Sequence, residues 1–339
     1  MLLCLAMLSA CSGLRIPTPL KMDPSDWAMF ARDASRTNAS SEVVTPPLTT
    51  EWECDITGGI GNGSVLVVDS VLFVGNLRGE LHAINARTGK RIGWIDLGDA
   101  IQGTPVIDGY AAIVPLSNTE FSLVAYDLIE GRPLWRRNYG DLEVSPLLFA
   151  QKIFVGNTDG AFYCIDRTSG DQLWKYELPE NTRRKGIRSS AAGSGNTVVF
   201  GAEDGFLYAL DAENGSRRWR CNTGGSIVAS PCIASGNAVI GNLSGTVSAV
   251  DLRTGESRWQ FAAGESIYAS PSSSGNNVYI GTTGGMMYAL DAVSGTRLWN
   301  TDLGSVINSG AVVAGDILYV VTLKKTLFGL RTSDGTIVV

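Results

Sequence analysis

The chain has 339 residues, of which 18% are charged and 40 are glycine, and its formal net charge is −6. Disorder is marked by high charge with few apolar residues, and this composition is the reverse; an acidic balance also argues against nucleic acid, which is bound through a basic face. A single histidine, His82, excludes most zinc sites, Ser-His-Asp triads and Cys-His dyads at once.

The chain opens on an apolar run, "MLLCLAMLSAC", ending in Leu8-Ser9-Ala10-Cys11. This resembles a bacterial lipobox, whose small residues fit the narrow site of the signal peptidase and whose cysteine becomes the acylated N-terminus. It implies a signal peptide over 1–10, lipid on Cys11 and a tether over 11–25. No Lys or Arg precedes the run, which departs from the pattern; an ordinary cleaved signal is the alternative. The run is too short to span a bilayer. Ser12 follows Cys11, with no Asp to retain the protein at the inner membrane, so the expected address is the outer membrane, facing the periplasm.

From residue 26 to 339 one domain is expected. A lead-in, "DWAMFARDASRTNAS" (26–40), is followed by an isolated Trp strand, "TTEWECDI" (49–56). Then one phrase recurs, anchored at Asn85, Asp127, Asp166, Asp211, Asp251, Asp291 and Arg331, with a glycine four residues later in every copy. A tryptophan follows at Trp135, Trp174, Trp219, Trp259 and Trp299, and is displaced by one at Trp94. Upstream lie a Ser/Thr-Pro step, as in "IVASP" (227–231), and an alternating apolar run ending in glycine, as in "NNVYIG" (276–281). Tight links such as "NTDG" supply the positive φ of hairpin turns. Each unit therefore reads as four short antiparallel strands.

Seven such units predict an all-β fold, a seven-bladed β-propeller. The large indole of each outer strand docks on the Asp-Gly turn of a neighbour; Trp52, at the isolated strand, is expected to complete that series. The strand around Trp52 is expected to close the ring by pairing with 327–330 in the last blade. His82 reads as a partly exposed strand residue. Cys54, Cys164, Cys221 and Cys232 fall on strands too far apart for a disulfide, so four free and mostly buried thiols are expected.

The repeat "A-[LI]-D-x-x-[TS]-G-x-x-x-W" and the lead-in resemble the tryptophan-docking repeat of the PQQ-like, or quinoprotein-type, propellers over residues 26–339. That family holds PQQ-dependent dehydrogenases and envelope lipoproteins such as the outer-membrane assembly factor BamB. The dehydrogenases commonly carry adjacent cysteines, a carboxylate-rich calcium site and a catalytic Asp in the channel. No two cysteines are adjacent here. The channel-mouth positions align as Asn62, Gln102, Glu143, Arg188, Val228, Tyr268 and Asn308, and one carboxylate in seven is a poor calcium site.

The resemblance therefore implies a non-catalytic scaffold that binds protein partners, the outer-membrane assembly machinery among them, with no cofactor, no metal and no nucleic acid. The alternative is a funnel that binds a small molecule or quinone, or a degenerate PQQ-type dehydrogenase. Assembly factors of the family usually have eight blades rather than seven. The fourth repeat carries an insert, "PENTRRKGIR" (179–188), with Arg183, Arg184, Lys185 and Arg188 close together. It reads either as a solvated loop tip or as a docking loop for an acidic partner, with Ile187-Arg188 as the apolar-Arg pair that the resemblance implies.

Overall fold

The computed structural model describes residues 13–61, 63–117, 120–179 and 186–339. It shows seven sheets of four strands each, arranged as a β-propeller. Blades 1 to 6 span 66–96, 106–137, 147–177, 192–222, 232–262 and 272–302. Each is an antiparallel meander whose consecutive strands pair in order. The inner strand is three residues long, and in blades 2, 3, 5 and 6 it begins just after the Ser/Thr-Pro step, where proline withholds a donor before the ladder starts.

The anchor residue does what its chemistry allows. Asp251 accepts the backbone N–H groups of Arg253 and Thr254 at 2.9 and 2.8 Å, and Asp127, Asp166, Asp211 and Asp291 repeat the pattern. Short carboxylates fold back on their own backbone in this way and fix the turn. The turn then receives the indole of the preceding blade. Trp219 lies against Gly255 and donates its Nε1–H to the Leu252 carbonyl at 2.9 Å. Trp135, Trp174, Trp259 and Trp299 do the same on Gly170, Gly215, Gly295 and Gly335, and Trp52 does so on Gly89.

Trp94 departs from this series. Its one-residue displacement places Gly93, not Trp94, opposite Ala83, where Ala249 faces Trp259 in blade 5. Side chains alternate across a strand, so a slip of one turns the indole to the other face. Trp94 stacks on His82 instead, with centroids 6.3 Å apart. The vacated place beside Gly93 and Gly131 is filled by Leu14 and Arg15. The stretch expected as a tether thus seats Leu14, Ile16 and Leu20 in the core of blades 1 and 2. His82, expected partly exposed, is buried at 2%, as Tyr208, Ser248 and Tyr288 are buried at the same place in blades 4 to 6.

Ring closure also differs from the expectation. Residues 51–56 form no strand, and the outer edge of 327–331 is met by the C-terminal residues instead. Leu330 bridges Ile337, and the Gly329 N–H donates to the Val339 carbonyl. The seventh blade gains its fourth strand on the inside. Ala39–Ser40 pairs in parallel with the inner strand Val312–Ala314. The lead-in, not the Trp52 segment, is what joins the ends of the chain.

Among the described residues the four cysteines are free; Cys164 and Cys232 are buried, Cys54 and Cys221 half-buried.

Candidate functional site

Three layers of side chains line the axis of the ring. The first is a ladder of backbone bonds from the lead-in, which winds around the inside of the channel. Trp27 pairs with Val67 of blade 1, and Ala28 accepts the N–H of Ile107 in blade 2. Ala34, Ser35, Thr37 and Asn38 accept the corresponding N–H groups of Gly193, Ile233, Ser273 and Val313, in blades 4 to 7. Arg36 supplies blade 3, donating to the Pro146 carbonyl at 3.2 Å, as well as to Ala191 at 2.8 Å and to Phe30. An inner strand facing an open channel would leave these donors without partners, and the lead-in satisfies them.

Arg36 is 1% exposed, a cation at the centre of the ring. Burial pushes its guanidinium down to about 9, with Asp33 opposing, so it stays charged at neutral pH. Three carbonyls around its fork compensate the lost hydration, as a buried charge requires. The winding path forces Ala31, Arg32, Arg36 and Asn38 into positive φ, between 53° and 75°.

The second layer is a belt of hydroxyls, which explains the Ser/Thr before each proline. The Ser64 N–H donates to Thr104 Oγ1, that of Thr104 to Ser145 Oγ, that of Ser145 to Ser190, that of Ser190 to Ser230, and that of Ser230 to Ser270, all at 2.7–3.0 Å. Each of blades 1 to 5 is thereby bonded to the next. The seventh place is Gly310, and there Asn38 of the lead-in inserts its amide and donates to the Ala311 carbonyl.

The third layer is the funnel mouth. Gln102, Glu143, Arg188, Val228, Tyr268 and Asn308 all line one cavity of about 870 Å³, whose floor is Trp27, Phe30, Ala31 and Asn38. The repeat alignment thus gathers six of its seven channel-mouth positions in one place; Asn62 lies outside the described residues. Arg188 is tied on both sides, to Glu143 and, through its Nε, to Glu203 at 3.2 Å.

The insert is less uniform than its sequence. Ile187 is fully buried, packed on Gly156, as Ile227, Ile267 and Ile307 are packed on Gly201, Gly241 and Gly281. It is a core position of the repeat and not half of an exposed docking pair. Arg183, Arg184 and Lys185 lie outside the described residues, as does Cys11.

A surface feature that the sequence did not reveal lies on this same face. At blade 7, Leu323 is 59% and Leu327 41% exposed, whereas Met287, the equivalent of Leu327 in blade 6, is 1% exposed. Val321, paired with Leu327, is exposed too, and so are Ile60 and Leu77 beside blade 1. The loops agree in position: Leu77 bonds to Gly59, and Leu323 to Val306, just below the funnel residues. An apolar edge therefore flanks the mouth on either side of the ring closure.

Comparison with known proteins separates fold from family. BamB of Xanthomonas campestris pv. campestris is 27% identical over 188 residues, which cover 52% of this chain and 45% of that protein. The quinohemoprotein alcohol dehydrogenase of Comamonas testosteroni is 30% identical over 58% of this chain and 25% of its own length. The chain's matches span less than half the length of these relatives. Among solved structures, BamB of Moraxella catarrhalis superposes with a TM-score of 0.69 at 18% identity, covering 80% of this chain and 85% of that one, a likeness of fold.

The dehydrogenase relatives raise the question of a quinone and its metal ion. The funnel's carboxylate, Glu143, and Glu203 behind it are both engaged by Arg188, whereas a hard cation takes six to eight free oxygens. Among the described residues no three His, Cys, Asp or Glu side chains come together. These residues do not fit such a group. The sequence profile described as outer membrane protein assembly factor BamB matches residues 39–187 and 243–338, most of the propeller, and on that match the chain belongs to the BamB family of PQQ-like propellers.

Proposed function

We propose that this protein is a non-catalytic scaffold of the bacterial envelope, lipidated at Cys11 and facing the periplasm from the outer membrane, that holds protein partners on its funnel-bearing face. The observation that carries the reading is the apolar edge of Ile60, Leu77, Val321, Leu323 and Leu327 around the mouth. Several large apolar side chains exposed together on one face of a folded protein are a feature of macromolecular docking surfaces. The basic insert Arg183–Lys185, at the blade 3–4 junction, adds charge that suits an acidic partner. BamB relatives are named for outer-membrane protein assembly, and that machinery is the partner class the reading favours.

The test is in-cell photo-crosslinking from Leu323 and Leu327, with the exposed Val293, in the turn before the outer strand of blade 6, as control. Capture of an outer-membrane assembly component from the two leucines, weakened by reversing the charges of Arg183, Arg184 and Lys185, is expected. Capture at no higher yield than from Val293 defeats the reading. Recovery of Cys11→Ala in the membrane fraction at wild-type levels defeats the lipid anchor.

A further inference from the structure

We infer that the funnel is a binding site for a neutral polyhydroxylated ligand, a saccharide of one or two rings. The inference does not depend on the scaffold reading. It starts from shape. The cavity is blind, because the lead-in closes its floor, and its volume of about 870 Å³ lies in the range of small-molecule sites.

The wall has two unlike halves. On one arc stand Glu143 and Arg188, bound to each other, followed by Val228. On the other stand Tyr268, Asn308 and Gln102, three neutral groups that each donate and accept, and none of them spends its side chain on a hydrogen bond within the described protein. Behind them runs the hydroxyl belt. Its oxygens already accept backbone N–H groups, so Ser145, Ser190, Ser230 and Ser270, all lining the cavity, keep their own O–H to donate.

Charge narrows the class. Arg188 is the one cation lining the cavity among the described residues, and Glu143 and Glu203 hold it from both sides. A phosphate or carboxylate ligand would meet that carboxylate pair. An apolar ligand would strand the amides. Neutral hydroxyls satisfy Gln102, Asn308 and the serine protons together, and the ring of Tyr268, 48% exposed and in no ring contact among the described residues, offers a flat apolar face for the C–H side of a pyranose.

The floor is also built to hold its shape. Ala31 and Asn38, both lining the cavity, keep positive φ because Arg36 and the backbone bonds to six blades over-determine their path. Strain of this kind in residues other than glycine collects at ligand sites, where it fixes geometry in advance.

The experiment is saturation-transfer NMR on the full chain with N-acetylglucosamine, chitobiose, maltose and trehalose at about 10 mM, followed by calorimetry on the best of them. At least one sugar should receive saturation. Tyr268→Ala and Gln102→Ala should each raise its Kd at least tenfold with the thermal midpoint unchanged. Asn308→Ala serves as a third variant should either of these unfold. Transfer to none of the four sugars overturns the proposal, as does a Kd that Tyr268→Ala and Gln102→Ala leave alone, or tighter binding of pyrophosphate than of any sugar. Loss of crosslinking from Leu323 would bear on the scaffold and leave this result standing.

Discussion

Substituting Gly255 tests how the blades are joined, with Gly264 as its internal control. Both glycines have positive φ, +77° and +86°. A Cβ on Gly264 meets nothing within 4 Å, whereas one on Gly255 would lie 2.5 Å from Trp219 Cγ and 2.8 Å from Cδ2. Carbon atoms rest at about 3.5–4.0 Å. For Gly264→Ala, a left-handed alanine costs about 1–2 kcal/mol, and the stiffer unfolded chain offsets about 0.4–1 kcal/mol of it. The net is about 1 kcal/mol.

Gly255→Ala carries that cost and adds overpacking of about 1–3 kcal/mol. Pushing the indole away also lengthens its 2.9 Å bond to Leu252, a loss of about 1 kcal/mol. The expected total is therefore about 3–5 kcal/mol. Urea unfolding followed by far-UV circular dichroism measures both variants, alone and on Trp219→Ala. Without the indole, Gly255→Ala should fall back to the cost of Gly264→Ala. The reasoning fails if the two glycines cost the same in the wild-type background, or if their difference survives the loss of Trp219.

Three further outcomes are expected. Burial holds the His82 imidazole below its ordinary value against the pull of Glu80, so the folded form is neutral where the unfolded chain binds a proton; stability is full above pH about 6.5 and is lost as the pH falls below it. Thermal midpoints between about pH 7 and pH 5 should drop for the wild type and drop less for His82→Gln, and equal slopes would refute this. Burial pushes the Cys164 and Cys232 thiols up to about 12, so at about pH 8 a thiol reagent should modify native Cys54 and Cys221 and spare these two; mass spectrometry showing early modification of either buried thiol would contradict it. Ser190→Ala removes the acceptor of the buried Ser145 N–H and should cost about 1–3 kcal/mol in urea unfolding, whereas Ser190→Thr, which keeps the hydroxyl, should recover most of that loss.

Much of the ring was legible because its rules are local. Within some forty residues the sequence states four strands, an anchoring Asp, a glycine at positive φ and an indole to dock there. The displacement of Trp94 was visible as well, but its consequence depended on alternation across the strand, and on Leu14 and Arg15 arriving from outside the repeats. Closure was misread because it rests on contacts between Asn38 and residues some 270 positions away, made by a two-residue parallel strand with no signature of its own. Ile187 was misread for the opposite reason. Its place beside Arg188 in a basic insert hid its identity with Ile227 and Ile267, although the alignment that set Arg188 with Val228 and Tyr268 already placed it there. The funnel residues were found by alignment alone, and what alignment omitted was their setting, the belt behind them and the lead-in beneath.

The lead-in has a consequence for the order in which the molecule is assembled. Its carbonyls are received by inner strands that stretch from Val67 to Val313, and Ala39–Ser40 pairs only with Val312–Ala314. Bringing such distant segments together adds little entropy for each further blade, since closure cost grows only with the logarithm of loop length. The constraint is one of sequence in time. Residues 27–40 leave the ribosome before any blade exists, yet their seat is complete only when the seventh inner strand has formed. The stretch that is made first is the one whose placing is finished last, and a chain halted before residue 312 has no seat for Asn38 and Ala39–Ser40.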